Sequence, residues 1–265
     1  MRTPTFRWVV SVASAMVLGS VAGAQSSEPA CSMGFANILG IGMGGSGSTP
    51  YTVTAKTTFE KKLPDGSYIR GYMVSHQARD AAGRTMWEQP IGCWRDENGV
   101  PQPWMTIRIF DPNGKIQLSW NINGPNADKT AHVFHQVPPK PLTAEEQAAR
   151  KKRMQVHQTP PGEFKTEDLG VRTIAGVEAY GKRMTRTIPA GEEGNELPLE
   201  TVDETWYAKD LGLDVRAVKD DPRIGRSTFE IEELTVGEPD ASLFAPPAGY
   251  KIVDPNPPAD SATKP

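Results

Sequence analysis

From Tyr51 the chain alternates side by side. Tyr51, Val53, Ala55, Thr57 and Phe59 are interleaved with Thr52, Thr54, Lys56, Thr58 and Glu60. A period of two sends successive side chains to opposite faces, so this segment reads as a half-buried strand. The pattern returns at Tyr68, Tyr72 and Val74, at Met105, Ile107 and Ile109, and at Ile116, Leu118, Trp120 and Ile122. Turn sequences separate these runs: Pro64-Asp65-Gly66, Asp80-Ala81-Ala82-Gly83 and Asp111-Pro112-Asn113-Gly114. The last fits a type I turn at all four positions. A short third strand is expected over 84–89 and a sixth near 130–137, and 90–103, with Cys93 and three prolines, reads as a loop. Further strands are expected over 163–175, 177–188, 201–208, 213–219 and 224–236.

Clean alternation wets one face of each strand. Antiparallel sheets tolerate this, whereas parallel sheets are covered on both faces. The helices that parallel crossovers need are missing. One helix is predicted over 143–156, opened by the capping box Thr143-Ala144-Glu145-Glu146 and closed before Pro160-Pro161. The expectation is a mainly β fold: a large, curved antiparallel sheet of about eleven strands, an unclosed β-barrel, with one or a few short helices. It forms a single domain over 51–253 with a helical linker near 143–156. Gly (25) and Pro (24) are together about 18% of the chain, against about 12% in average proteins. That excess also argues against a helical bundle. Much of it lies in a Gly/Ser-rich lead-in over 25–50 and in a Pro-rich tail over 254–265, expected to be disordered.

Residues 1–24 have the order of a secretory signal peptide: Arg2 and Arg7, an apolar stretch from Trp8 to Val21, then Ala22-Gly23-Ala24 before Gln25. Cleavage is expected near Ala24, leaving a periplasmic or secreted chain with no integral membrane segment. An uncleaved anchor is the alternative. Cys31 and Cys93 are the two cysteines, and in an oxidising compartment they read first as one disulfide. That bond would close a loop of about 60 residues, worth ~4 kcal/mol in the chain-entropy model. Two free buried thiols are the other reading.

The chemistry-bearing motifs are sparse. Gly40-Ile41-Gly42-Met43-Gly44-Gly45 matches a dinucleotide fingerprint, but Ser-Gly-Ser-Thr-Pro and a strand follow it, and no helix N-terminus faces a pyrophosphate. His132 and His135 fall on opposite faces of a strand, which disfavours zinc. No cofactor and no metal are expected. A net charge of -3 gives no basic surface for nucleic acid. Glu192-Glu193 and Asp220-Asp221 sit in turn sequences and read as solvated turns, although a hydrolase needs no local motif to place two carboxylates. The tryptophans remaining after the signal are core candidates first and an aromatic ligand surface second. Buried-phase strand positions Tyr72, Ile107, Leu118, Trp120, Trp206 and Phe229 are the candidate ligand-binding residues.

Longer segments carry a resemblance. Leu63-Pro64-Asp65-Gly66-Ser67-Tyr68-Ile69-Arg70 with Ala78-Arg79-Asp80-Ala81-Ala82-Gly83-Arg84 resembles the opening strands of a secreted bacterial family of unknown function. Similar likenesses lie at Leu169-Gly170 with Ile174-Ala175-Gly176-Val177, Ile188-Pro189-Ala190-Gly191, Glu204-Thr205-Trp206-Tyr207 and Asp221-Pro222-Arg223. The stretch Glu238-Pro239-Asp240-Ala241-Ser242-Leu243-Phe244-Ala245-Pro246-Pro247-Ala248-Gly249-Tyr250 looks like the close of the periplasmic lipoprotein carrier (LolA/LolB) and RseB-like group. The resemblance implies a half-barrel that binds a lipid, acyl chain or other apolar ligand on its concave face without catalysis. A cell-envelope structural or protein-interaction module is the alternative, and a hydrolase without a recognisable motif the second.

Overall fold

The computed structural model describes residues 47–124, 128–136, 142–156 and 162–257. The signal segment, Cys31, the Gly40–Gly45 motif and the chain end from 258 lie outside the described residues.

Among the described residues, twelve strands form one sheet. They are β1 (Tyr51–Lys62), β2 (Tyr68–Arg79), β3 (Thr85–Arg95), β4 (Pro101–Asp111), β5 (Ile116–Ile122), β6 (Thr130–His135), β7 (Glu163–Ile174), β8 (Val177–Ile188), β9 (Leu199–Ala208), β10 (Leu213–Asp221), β11 (Gly225–Val236) and β12 (Lys251–Val253). Their order across the sheet is 12-6-5-4-3-2-1-11-10-9-8-7. Two antiparallel meanders, β1–β6 and β7–β11, therefore meet where β1 pairs with β11. β12 adds in parallel outside β6. The sheet does not close on itself, and β7 forms its opposite edge. Helix α1 (Ala144–Val156) lies in the connection from β6 to β7 and so links the two ends of the sheet. Its capping box forms in both directions: the Glu146 N–H donates to Thr143 Oγ1 (3.2 Å) and the Thr143 N–H to Glu146 Oε2 (2.7 Å). Residues 144–153 of the helix are exposed. Among the described residues no helix is long and apolar enough to cross a membrane.

Single-residue bulges interrupt the ladders at Thr54/Ala55, Pro90/Gly92, Asp168/Gly170 and Asp214/Arg216. Each adds local bend and twist, which is how a sheet this wide curves. The expected turns form. Asp111 Oδ1 accepts the N–H groups of Asn113 and Gly114, both at 2.9 Å. Gly83 takes φ +82°, a left-handed value that favours glycine, and its N–H donates to the Asp80 carbonyl at 3.0 Å.

The loop expected over 90–103 is corrected. β3 continues to Arg95 and β4 begins at Pro101, with Cys93 opposite Pro103 and Arg95 opposite Pro101. The prolines fit because they fall where no ladder donor is needed. Pro90 adjoins the bulge, and β4 has its β5 partner only from Met105 onward. The strand count rises from about eleven to twelve through β12, which at three residues is too short to show a period.

Two buried clusters hold the sheet. Ala78, Met86, Ile109, Trp120 and Ala131 pack with Phe244 from the 3-10 turn Ala241–Phe244 and with Leu243 and Tyr250. The second cluster gathers Tyr51, Val53, Ala55, Ala179, Trp206, Leu213, Val215, Phe229 and Ile231 around the β1–β11 seam.

Candidate functional site

The register sorts side chains onto two faces, because directly opposed residues point the same way. On one face Ala78, Met86, Ile109, Leu118 and Val133 stand in a row across β2–β6. The C-terminal segment covers this row: the Tyr250 ring meets Trp120 edge-on at 6.2 Å between centroids. On the other face a row runs Thr166, Met184, Asp203, Lys219, Ser227, Phe59 and Gly71 from β7 to β2. Two parallel stretches of that same face are Phe229, Thr57 and Met73, then Gln77, Trp87, Arg108 and Ser119.

This second face bears two wide cavities, and another of about 310 Å³ lies on the first face beside Thr54, His76, Glu88 and Leu243. One, about 510 Å³, lies over β7–β11 and β1, with Phe59, Phe164, Met184, Val202 and Ile224 supplying its apolar lining. Another, about 500 Å³, lies over β2–β5, walled by Trp87, Phe110 and Pro112 with Arg79 and Arg108. Both volumes fall within the roughly 300–1,000 Å³ of small-molecule sites. Between them sits a narrow depression of about 30 Å³ with Thr57, Met73, Trp87 and Phe229 in its lining.

The arginines of the first cavity are paired with carboxylates. Arg186 and Arg223 both pair with Glu193, and Arg223 Nη2 lies 2.7 Å from Asp221 Oδ2. The Arg186 hydrogen bond is the main cause that holds the Glu193 carboxyl below its ordinary range, and Arg223 does the same for Asp221. Neither wide cavity has a histidine in its lining. Among the described residues no group of three or more His, Cys, Asp or Glu is placed to hold a metal ion. His135 Nε2 instead meets Asp254 Oδ2 at 2.7 Å and ties the segment after β12 to β6.

Five of the six candidate residues named from sequence fall away from these depressions. Ile107, Leu118 and Trp120 belong to the cluster beneath Phe244 and Tyr250, and Trp120 is buried. Trp206 is sealed in the seam cluster, its Nε1 donating to Glu204 Oε1 at 2.8 Å. Tyr72 is half-buried under the Lys56 ammonium, 4.7 Å from the ring centroid. Phe229 alone touches the cavity-bearing face, at the narrow depression. The wide cavities are lined by residues of the opposite phase, such as Trp87 and Phe110. The sequence carried a signal for them: two large aromatics interleaved with Met86 and Ile109, where alternation leaves the wet face. Cys93 lies half-buried in β3.

No family model matches the chain, and no curated protein matches it. Solved structures do match it at low similarity. A chain of the Pseudomonas aeruginosa MucA/MucB complex is 13% identical, with a TM-score of 0.39, and the match covers 77% of this chain and 58% of that one. A LolA superfamily protein from Nitrosomonas europaea is 8% identical at a TM-score of 0.27, covering 75% and 90%. The Mycobacterium tuberculosis lipoprotein LppX is 15% identical at 0.26, covering 71% and 85%. This chain thus spans less than two thirds of the MucA/MucB chain it matches.

Proposed function

We propose that this protein is a non-enzymatic binding protein of the cell envelope that holds an acyl chain or similar apolar ligand across the cavity-bearing face of its sheet. The observation that carries the reading is the succession of depressions on one face, wide, narrow and wide, from β7 to β5. Apolar side chains such as Phe59, Phe164, Met73, Trp87 and Phe110 alternate with polar ones along it, and the succession suits an extended ligand more than a compact one. The signal-like segment over 1–24 and a Cys31–Cys93 disulfide belong to the same reading, since both fit a periplasmic address.

Titration with a fluorescent acyl probe tests it. The expected result is saturable binding that Met73→Glu, a charge placed in the narrow depression, weakens at least tenfold. Native mass spectrometry after gentle extraction is expected to retain a lipid. No probe binding together with no retained lipid would overturn the reading.

A second reading has its own observation. Among the described residues β7 is a twelve-residue edge strand paired only with β8. An open edge of that length can take a strand from a partner protein. Recovery of a defined envelope protein on immobilised wild-type chain, lost with Thr166→Pro, would favour it.

A further inference from the structure

The two wide cavities differ in how their charges are settled. In the β7–β11 cavity the arginines are paired with carboxylates. The β2–β5 cavity has two arginines and no acid in its lining. Arg79 is engaged: its guanidinium donates to the Gly47 carbonyl. Arg108 stands between Trp87 on β3 and Ser119 on β5, and no ion pair involves it among the described residues. Asp111, on the same strand, is committed to the N–H groups of its own turn. An overall acidic chain thus presents a cation without a counter-charge beside an aromatic wall of Trp87 and Phe110. The end of this cavity is firm, because Gly83 and Pro112 come from two turns joined by a hydrogen bond from Asn113 Nδ2 to the Ala82 carbonyl (2.9 Å).

From this asymmetry we infer that the β2–β5 cavity binds the head of an anionic amphiphile. A carboxylate or phosphate pairs with Arg108, and the alkyl chain leaves along Trp87 toward the narrow depression. A guanidinium offers forked donors to either oxyanion, and an anion that fills them forms charge-assisted bonds, which are about twice as strong as neutral ones. Trp87 lines both the cavity and the depression, so it marks the path from head to chain. The inference rests on the apolar-ligand reading above and adds the polarity of the ligand and its direction of binding.

Displacement of a bound fluorescent acyl probe by laurate, dodecyl phosphate, monolauroylglycerol and inorganic phosphate separates the outcomes. With wild-type protein, laurate or dodecyl phosphate is expected to compete at a concentration at least tenfold below that of monolauroylglycerol, and inorganic phosphate not to compete. Arg108→Gln is expected to erase the preference and leave monolauroylglycerol unchanged. Arg108→Lys keeps most of it, and Phe110→Ser weakens every amphiphile alike. Arg108 is exposed, so the fold is expected to survive, and far-ultraviolet circular dichroism checks this. Equal competition by neutral and anionic amphiphiles, a preference that survives Arg108→Gln, or competition by inorganic phosphate alone would overturn the inference while the apolar-ligand reading stood. Failure of every amphiphile to bind would remove both.

Discussion

The two buried clusters are closed by different means. Around the β1–β11 seam the sheet seals itself. The Trp206 indole lies against Gly181 of the neighbouring strand, so close that a Cβ there would meet the ring at 2.6 Å. The Arg172 guanidinium caps the ring at 4.7 Å from its centroid. Glu204 receives Trp206 Nε1 and an arginine on each side, Arg183 and Arg216, all at 2.8 Å. In the β2–β6 half the row under Trp120 is finished by residues more than a hundred positions away, Leu243, Phe244 and Tyr250. One half is held by neighbours in the ladder, and the other depends on a late segment folding back. Local order in the second case is therefore conditional on that segment staying docked.

Paired truncations can break this comparison. Trp206→Ala removes the largest fully buried side chain and is expected to cost about 3–5 kcal/mol, read by denaturant unfolding of the whole sheet. Phe244→Ala is expected to cost at the lower end of the same range of about 3–5 kcal/mol. Its signature in hydrogen exchange is local: amides of β3–β6 lose protection and those of β8–β10 do not. Equal loss in both halves would show that the clusters unfold as one.

A smaller effect tests how the late segment is held. Asp80 is 2% exposed and accepts from Arg84 Nε at 2.6 Å, while the same guanidinium lies 4.8 Å from the centre of the Phe244 ring. Arg84→Ala leaves a buried carboxylate with only the backbone N–H of residue 84 and removes the ring's cover. A loss of about 1–3 kcal/mol is expected, with exchange rising first in the docked segment.

The smallest effect is a pH dependence. The Glu88 carboxylate, with Oε2 3.3 Å from His76 Nδ1, raises the His76 imidazolium above its ordinary value of 6.5. The stabilisation is therefore complete below about pH 6.5 and fades as pH climbs through the raised value. The stability difference between wild type and Glu88→Gln is expected to be largest in mild acid and to shrink above neutrality. A difference that grew with pH would sink this assignment.

Much of the fold was legible in particular residues. Tyr51 to Phe59 declared their buried phase, Asp111-Pro112-Asn113-Gly114 its turn, and Thr143 with Glu146 the start of the helix. Pro90, Pro101 and Pro103 misled, because a proline's local penalty depends on whether its missing N–H would have had a partner. The candidate site was less legible. Alternation marked Trp120 and Trp206 as apolar-facing, yet it could not say whether another part of the chain would cover them. Burial by Tyr250 and the close fit to Gly181 made them core. The open face was left to Trp87, Arg108 and Phe110, on the phase that the pattern marks as wet.

The strands, their turns and their two-sided character follow from local alternation, because a side chain's face is set by its parity within a strand. Which stretches of each face are covered and which border cavities was decided only by the tertiary structure. That choice depends on where β1 meets β11 and where residues 243–250 dock, and both are contacts between segments too far apart in the chain for any local pattern to encode.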